Sequence, residues 1–217
     1  GLVTKKITVE QMSQDIDALI QGAFDRHPNL AKYTDIDALQ AQANALKTSL
    51  TRPMTRVEFF RVIGQLNHKF NDGHSFLIWP YHEYIQLQET GKSPFPFRVK
   101  ITKNNAIILA NDYQSEERRI GNGETIHAIN GIESADLIQN LQRYVGGETH
   151  YLRTQFLAER FPIMLWAVYG YIDNFDLLIG DRRVTINPNQ TWHPSEPESQ
   201  AFDYKKLSAD TGYLYLA

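Results

Sequence analysis

The chain has 217 residues and a mass of 25.0 kDa, with 42% hydrophobic residues, 22% charged residues and a net charge of -3, which fits one large or two small globular domains with room for a core. The slightly acidic balance leaves no basic excess for holding nucleic acid or an anionic membrane. The absence of cysteine excludes disulfides, thiolate catalysis and zinc–cysteine sites, and no apolar run approaches the roughly 20 residues needed to span a bilayer.

The first third has the period of helices. Met12, Ile16, Leu19, Ile20 and Ala23 recur at helical spacing, as do Ile36, Leu39, Ala43, Leu46 and Leu50, and then Phe59, Ile63, Leu66 and Phe70. Each run has a start signal. Thr8-x-x-Gln11 and Thr55-x-x-Glu58 spell capping boxes, in which hydroxyl and carboxylate or amide satisfy orphan backbone donors. Thr34, followed by Asp35 and Asp37, supplies a cap and two carboxylates for the positive end of a helix dipole. Pro28 and Pro53 separate the runs. Three short amphipathic helices with tight links predict a small bundle over residues 1–75.

Asn71-Asp72-Gly73 is a turn signal, and Gly73 can close the third helix in a left-handed conformation. Beyond it the pattern changes to strands at Phe76–Trp79, Phe97–Ile101 and Ala106–Leu109, the last two flanking Lys103-Asn104-Asn105 as a hairpin. The mixed charges of Glu116-Glu117-Arg118-Arg119 read as a solvated turn. Thr125–Ile129 is another strand, ended by Asn130-Gly131. A helix is expected from about Ser134 to Tyr144, with Gly146-Gly147 breaking it. One further helical run carries Leu152, Phe156, Leu157, Phe161, Leu165 and Val168. Phe175–Ile179 and Arg183–Ile186 predict a closing hairpin around Gly180-Asp181. Residues 187–203, with Pro188, Pro194 and Pro197 and no period, read as a linker, and Thr211–Ala217 as a strand. The fold class this implies is α+β: an N-terminal three-helix bundle, then a β-rich domain over 76–186 with a helical insertion at 151–169.

Most catalytic signatures are missing. There is no Gly-x-Ser-x-Gly elbow and no His-Glu-x-x-His helix. Gly91-Lys92-Ser93 has the ending of a phosphate loop, but Gln86 stands where the first glycine belongs. Gly121-x-Gly123 has Ile126 in place of the third glycine of a dinucleotide fingerprint. Asn189-x-Thr191 is a glycosylation sequon only in a eukaryotic secretory context. The most suggestive cluster is Asp72-Gly73-His74-Ser75. A histidine just past a helix end titrates near neutrality, as a general base must; the plain alternative is a histidine that caps the helix or holds a loop. Ser75, its neighbour, points to the opposite face of an extended segment. His68, His74 and His82 lack the spacing of three or four that helical metal ligands need, so no metal site is predicted. A second cluster runs from Gly123 to Ile132: an acid opens a strand, apolar residues alternate, an Asn-Gly turn follows and an amphipathic helix comes next.

The segment Gly123-Glu124-x-Ile126-x-x-Ile129-Asn130-Gly131 resembles the hallmark of PDZ domains, usually written with Asp where Glu124 stands. The order of helical bundle, Asp-Gly-His-Ser turn, PDZ-like segment, linker and Gly212-Tyr-Leu-x-Leu strand resembles the front half of serine peptidases of the C-terminal processing and tricorn-core type. His27-Pro-Asn-Leu30 and Arg52-Pro-Met-Thr-Arg-x-Glu-Phe-Phe60 are similar to members with a short helical N-terminus. The resemblance implies a PDZ-like domain over 76–186 and, over 187–217, a linker and the first strand of a catalytic domain that would carry the nucleophilic serine. It implies that His74 is the general base, as in the tricorn-like branch, whereas other branches use a Ser-Lys pair. It further implies a peptide or protein substrate and a place in the bacterial envelope, periplasmic or secreted; the residues themselves lead to the expectation of no cofactor, no metal, no nucleic acid partner and no transmembrane segment. The opening Gly1-Leu2-Val3, without an initiator Met, fits a trimmed or mature chain.

PDZ modules bind extended peptides by adding a strand to a sheet edge. Ser93-Pro94-Phe95-Pro96-Phe97 is the positional candidate for the loop that receives a terminal carboxylate. An ordinary PDZ domain lacks the 151–169 helices, which implies altered or lost peptide binding. Two other readings stay open. One is a free-standing peptide- or protein-binding module without chemistry. The other, since the same superfamily includes retinoid-binding repeats, is a small apolar ligand binder built on 156–172, a stripe whose plain reading is core.

Overall fold

The computed structural model describes residues 5–26, 35–69, 79–116, 118–147 and 149–194, with the strands Asp203–Lys206 and Gly212–Tyr215. Helix α1 (Val9–Arg26) opens on the expected box: Gln11 N donates to Thr8 Oγ1 at 3.2 Å, and Thr8 N donates to Gln11 Oε1 at 3.2 Å. Helix α2 (Ile36–Ser49) is capped by Asp35 rather than Thr34, with Ala38 N donating to Asp35 Oδ1 at 2.9 Å. A carboxylate at that place satisfies an orphan donor and also meets the positive helix end. Thr34 itself lies outside the described residues, as do Pro28 and Gly73. Helix α3 (Arg56–Ile63) opens on the second box, Thr55 N donating to Glu58 Oε2 at 2.8 Å and Glu58 N to Thr55 Oγ1 at 3.3 Å. It tightens into a 3-10 turn over Gly64–Lys69. Strands β1 (Lys6–Ile7) and β2 (Met54–Thr55) pair, tying the start of α1 to the start of α3.

Two apolar clusters divide the chain. Met12, Ile16, Ile20, Leu39, Ala43, Phe59, Ile63 and Leu66 belong to the first. Val57 and Phe60, on the other stripe of α3, belong to the second. Residues three or four apart share a helix face, so eight residues of α3 present apolar side chains in two directions.

The second cluster lies on an antiparallel sheet. Its strands are β3 (Val99–Ile101), β4 (Ile107–Leu109), β7 (Thr125–Ile129), β9 (Phe175–Ile179) and β10 (Arg182–Ile186), in the order β10-β9-β7-β4-β3. Alternation sets the inner face: Val99 and Ile101 are buried around exposed Lys100, and Phe175 and Leu177 around exposed Asp176. Strand β8 (Ile132–Glu133) turns back on β7 through Asn130 and Gly131, whose φ values of 50° and 78° are those of a two-residue hairpin turn. A small second sheet joins β5 (Tyr113–Gln114), β6 (Arg119–Ile120) and β11 (His193–Pro194). Strands β12 (Asp203–Lys206) and β13 (Gly212–Tyr215) pair with each other. The described chain is thus a mixed helix-and-sheet protein of the α+β kind.

Four more helices complete it: α4 (Tyr81–Glu89), α5 (Ser134–Gln142), α6 (His150–Glu159) and α7 (Phe161–Tyr169). Helix α4 has no counterpart in the sequence reading. The single run expected at 151–169 is two helices divided at Arg160, because Pro162 has no N–H to give the preceding turn and sits instead in the first turn of α7. Phe161, Met164, Leu165 and Ala167 of α7 are buried, and Phe161 meets Phe95 edge-on at 5.3 Å. Helix α6 buries only Thr154 and Leu157.

The two clusters meet closely at Gly64. A Cβ there would fall 2.7 Å from Tyr144 Cδ1, so a glycine lets the ring approach. Tyr144 O–H donates to Arg61 O at 2.9 Å, Asn67 Nδ2 donates to Tyr144 O at 2.9 Å, and Arg61 Nε donates to Ala167 O at 2.8 Å. Residues 187–194, expected as linker, are part of the fold. Strand β11 pairs with β5, Ser93 N donates to Asn189 Oδ1 at 2.8 Å, and the Trp192 ring meets Phe97 edge-on at 5.2 Å. Partial burial of that indole against the aromatic core offsets some of the entropy that a free segment would keep. Residues 195–202 lie outside the described residues.

Candidate functional site

His74, with Asp72, Gly73 and Ser75, lies outside the described residues. His68 does not stand in for it. Its Nδ1 lies 2.6 Å from Gln65 O and 3.2 Å from Arg143 O, and burial depresses its pKa below the usual histidine range. Two main-chain carbonyls around one ring nitrogen describe a loop fastener. His82 is exposed, and among the described residues no group of three metal-ligating side chains comes together.

The PDZ-like segment has a local logic. Gly123 takes a φ of 83°, and Gly121 N donates to Glu124 Oε2 at 2.6 Å. The other carboxylate oxygen of Glu124 accepts from Arg182 at the start of β10. The acid therefore closes the turn before β7 and ties it to the terminal hairpin. Asn130 does the same at the strand's other end: its N–H donates to Asp176 O at 2.8 Å, and Asp176 N donates to Asn130 Oδ1 at 2.7 Å. Glu124 and Asn130 frame β7 between β4 and β9.

That frame sets which strand is left at the edge. Arg98 O accepts from Ala110 N at 3.0 Å, Thr102 N donates to Ala106 O at 3.0 Å, and Lys100 stands opposite Ile108. In an antiparallel ladder these alternate residues bond to the partner, so the main-chain groups of Val99 and Ile101 turn to the outer side of β3. Helix α6 packs along this strand and also against α5. Gln142 Nε2 at the end of α5 donates to Asn105 Oδ1 at 3.2 Å in the β3–β4 turn, and lies 3.4 Å from His150 Nε2 at the start of α6. Thr149 caps α6, accepting from Leu152 N at 3.1 Å. The helix keeps Tyr151 and Leu152 exposed, at 68% and 53%.

The segment Ser93–Phe97 is packed rather than open. Phe95 meets Phe97 at 5.5 Å and Phe175 at 5.1 Å, and the Ser93 amide is taken by Asn189. Arg98 N, next in line, donates to the Tyr113 hydroxyl at 2.6 Å. The 156–172 stripe packs as core through Phe161, Met164 and Leu165. Lys92 of the Gly-Lys-Ser stretch lies over the Tyr171 ring, 4.5 Å from its centroid.

Sequence reasoning missed three things at this site: the edge position of β3, the cover formed by α6, and α4 with its buried Glu83. Pro80 followed by Glu83 in the first turn is the start signal that could have found α4. No protein-family model matches the chain, and no curated protein matches it in sequence.

Proposed function

We propose that this chain is the portion of a serine-type peptidase, of the C-terminal processing and tricorn-core kind, that precedes the nucleophile. In this reading residues 1–75 form a helical cap, 76–194 a PDZ-like module that recognises an extended peptide or protein segment, and 195–217 the passage to a catalytic domain in the bacterial envelope. His74 is the general base of the assembled enzyme.

One observation carries the reading: the module with the Glu124 and Asn130-Gly131 frame ends in an edge strand, β3, with the main-chain groups of Val99 and Ile101 turned outward. Strand addition requires such an edge. Because α6 lies along it, entry of a peptide requires α6 to shift from β3.

A titration with unstructured peptides ending in a free carboxylate, followed by amide resonances, tests the recognition step. The expected result is saturable shifts at Val99 and Ile101 together with shifts along α6. Shifts confined to other residues, or none, remove strand addition from the reading. In a protein carrying the downstream domain, His74→Ala is expected to lower peptide hydrolysis by about two orders of magnitude or more, the scale of a lost general base; retained hydrolysis removes the role of His74.

A further inference from the structure

Helices α3, α4 and α7 enclose a cleft of about 570 Å³ on the side of the molecule that carries Trp166. Val57 and Arg61 line it from α3, Glu83, Gln86 and Leu87 from α4, and Trp166 from α7. Its volume is in the range of small-molecule sites, about 300–1,000 Å³. Glu83 is only 2% exposed, and its Oε2 is buried with no hydrogen-bond partner among the described residues; Gln86 Oε1 is in the same state. Buried polar atoms in folded proteins are almost always paired, so each exception asks for a reason. Two such atoms three residues apart share one face of α4, and both line the same cleft.

Neighbouring cations do not answer them. Arg56 Nε approaches the other oxygen of Glu83 only to 3.7 Å, and its side chain is 45% exposed. Arg61 Nε is committed to Ala167 O, and Lys92 lies over Tyr171. The missing partner is defined by the two unpaired acceptors, one of them a carboxylate, beside Val57, Leu87 and Trp166; Glu89 adds a second carboxylate to the lining, against the cations of Arg61 and Lys92. An ammonium group offers three donors and no acceptor, and its charge complements the carboxylate. An alcohol offers one donor and no charge. A metal ion would need further ligands, and no group of three forms among the described residues.

We propose that this cleft binds a protonated primary amine carried on an apolar body, with the ammonium between Glu83 and Gln86 and the carbon chain against Leu87 and Trp166. The amine is either a free alkylamine or the side chain of a lysine in a peptide. The inference stands apart from strand recognition at β3, and its readouts lie on different residues.

The test is a titration of the chain with n-hexylamine, 1-hexanol and hexanoate, followed by the amides of Gln86 and Leu87 and the indole of Trp166. Saturable binding of hexylamine, at least about tenfold tighter than hexanol or hexanoate, is expected. Glu83→Gln is expected to weaken hexylamine by about tenfold or more, while the unliganded thermal midpoint stays level or rises, because a buried charge without a full partner has been removed. A carboxylate that merely held the fold would lower the midpoint instead. Should Glu83→Gln fold poorly, Gln86→Leu removes the second acceptor and is expected to weaken hexylamine several-fold. N-acetyl-lysine methylamide against N-acetyl-norleucine methylamide separates the sources: preference for the lysine compound assigns a peptide side chain, and binding of hexylamine alone assigns a free amine. Equal binding of hexanol and hexylamine, no saturable binding of any amine, or undiminished binding by both variants overturns the proposal.

Discussion

The helical cluster at the N-terminus and the sheet-centred cluster are both apolar, but they are assembled from different kinds of information. In the first, each helix carries its own stripe and its own cap: Met12, Ile16 and Ile20 on α1 behind Thr8, Leu39 and Ala43 on α2 behind Asp35. In the second, neighbours come from far apart. Phe95 meets Phe97, Phe161 and Phe175 edge-on. Helix α3 belongs to both, with Phe59 and Ile63 on one side and Val57 and Phe60 on the other. The difference teaches that the helical region is locally specified yet not an appendage, because one of its helices is also a wall of the larger core.

Four substitutions bear on this comparison. Phe161→Ala empties the centre of the larger cluster, where the ring is fully buried, and is expected to cost about 3–5 kcal/mol. In urea melts followed by far-UV circular dichroism, loss of both regions in one transition supports the shared wall; separate melting of the two breaks it. Gly64→Ala acts at the junction, where the new methyl must displace the Tyr144 ring. Overpacking of this kind costs about 1–3 kcal/mol, more than the roughly 1 kcal/mol that helix propensity would return. A variant more stable than wild type would show that the junction is slack.

The smallest effect lies at the cap of α3. Thr55→Ala removes one half of the box and is expected to cost about 1 kcal/mol. The other half carries a pH signature. The Arg52 guanidinium, bonded to Glu58 Oε1 at 2.9 Å, and the Thr55 amide hold the Glu58 carboxyl down to about 2 from its ordinary 4.5. A depressed carboxyl contributes stability above its unfolded value and loses it as the pH falls from about 4.5 towards about 2. Melts at pH 5 and pH 2.5 should therefore converge for wild type and Glu58→Gln at the lower pH. The carboxylate is partly exposed, so the difference is small; its absence would mean that the box is formed without the charge.

The same contrast explains what could be read from the chain alone. Both capping boxes, the β3–β4 hairpin, β7 and the β9–β10 hairpin follow from signals within a few residues of each other, and the sequence carries them openly. Asp35 rather than Thr34 is the cap because Thr34, Asp35 and Asp37 offer several starts, and only packing chooses. Pro162 was in view, but a proline in the first turn of a helix resembles one tolerated inside a run. The edge position of β3 depends on strand order, and the position of α6 depends on where that edge lies; neither has a local signature. The burial of Glu83 has no mark in the sequence, because it depends on α3 and α7, which are distant along the chain. His74, the residue on which the resemblance places the chemistry, lies outside the described residues.

Trp192 gives the returning segment an optical signature. Its indole is held edge-on by Phe97 with Nε1 donating to Asn187 O at 3.3 Å, while the other tryptophans sit elsewhere, Trp79 against Phe60 and Trp166 against Tyr84. A chain keeping Trp192 alone would emit at shorter wavelength while β11 is paired with β5 and shift to the red on release. Undocking of 187–194 could then be timed in solution as a colour change, separately from unfolding of either core.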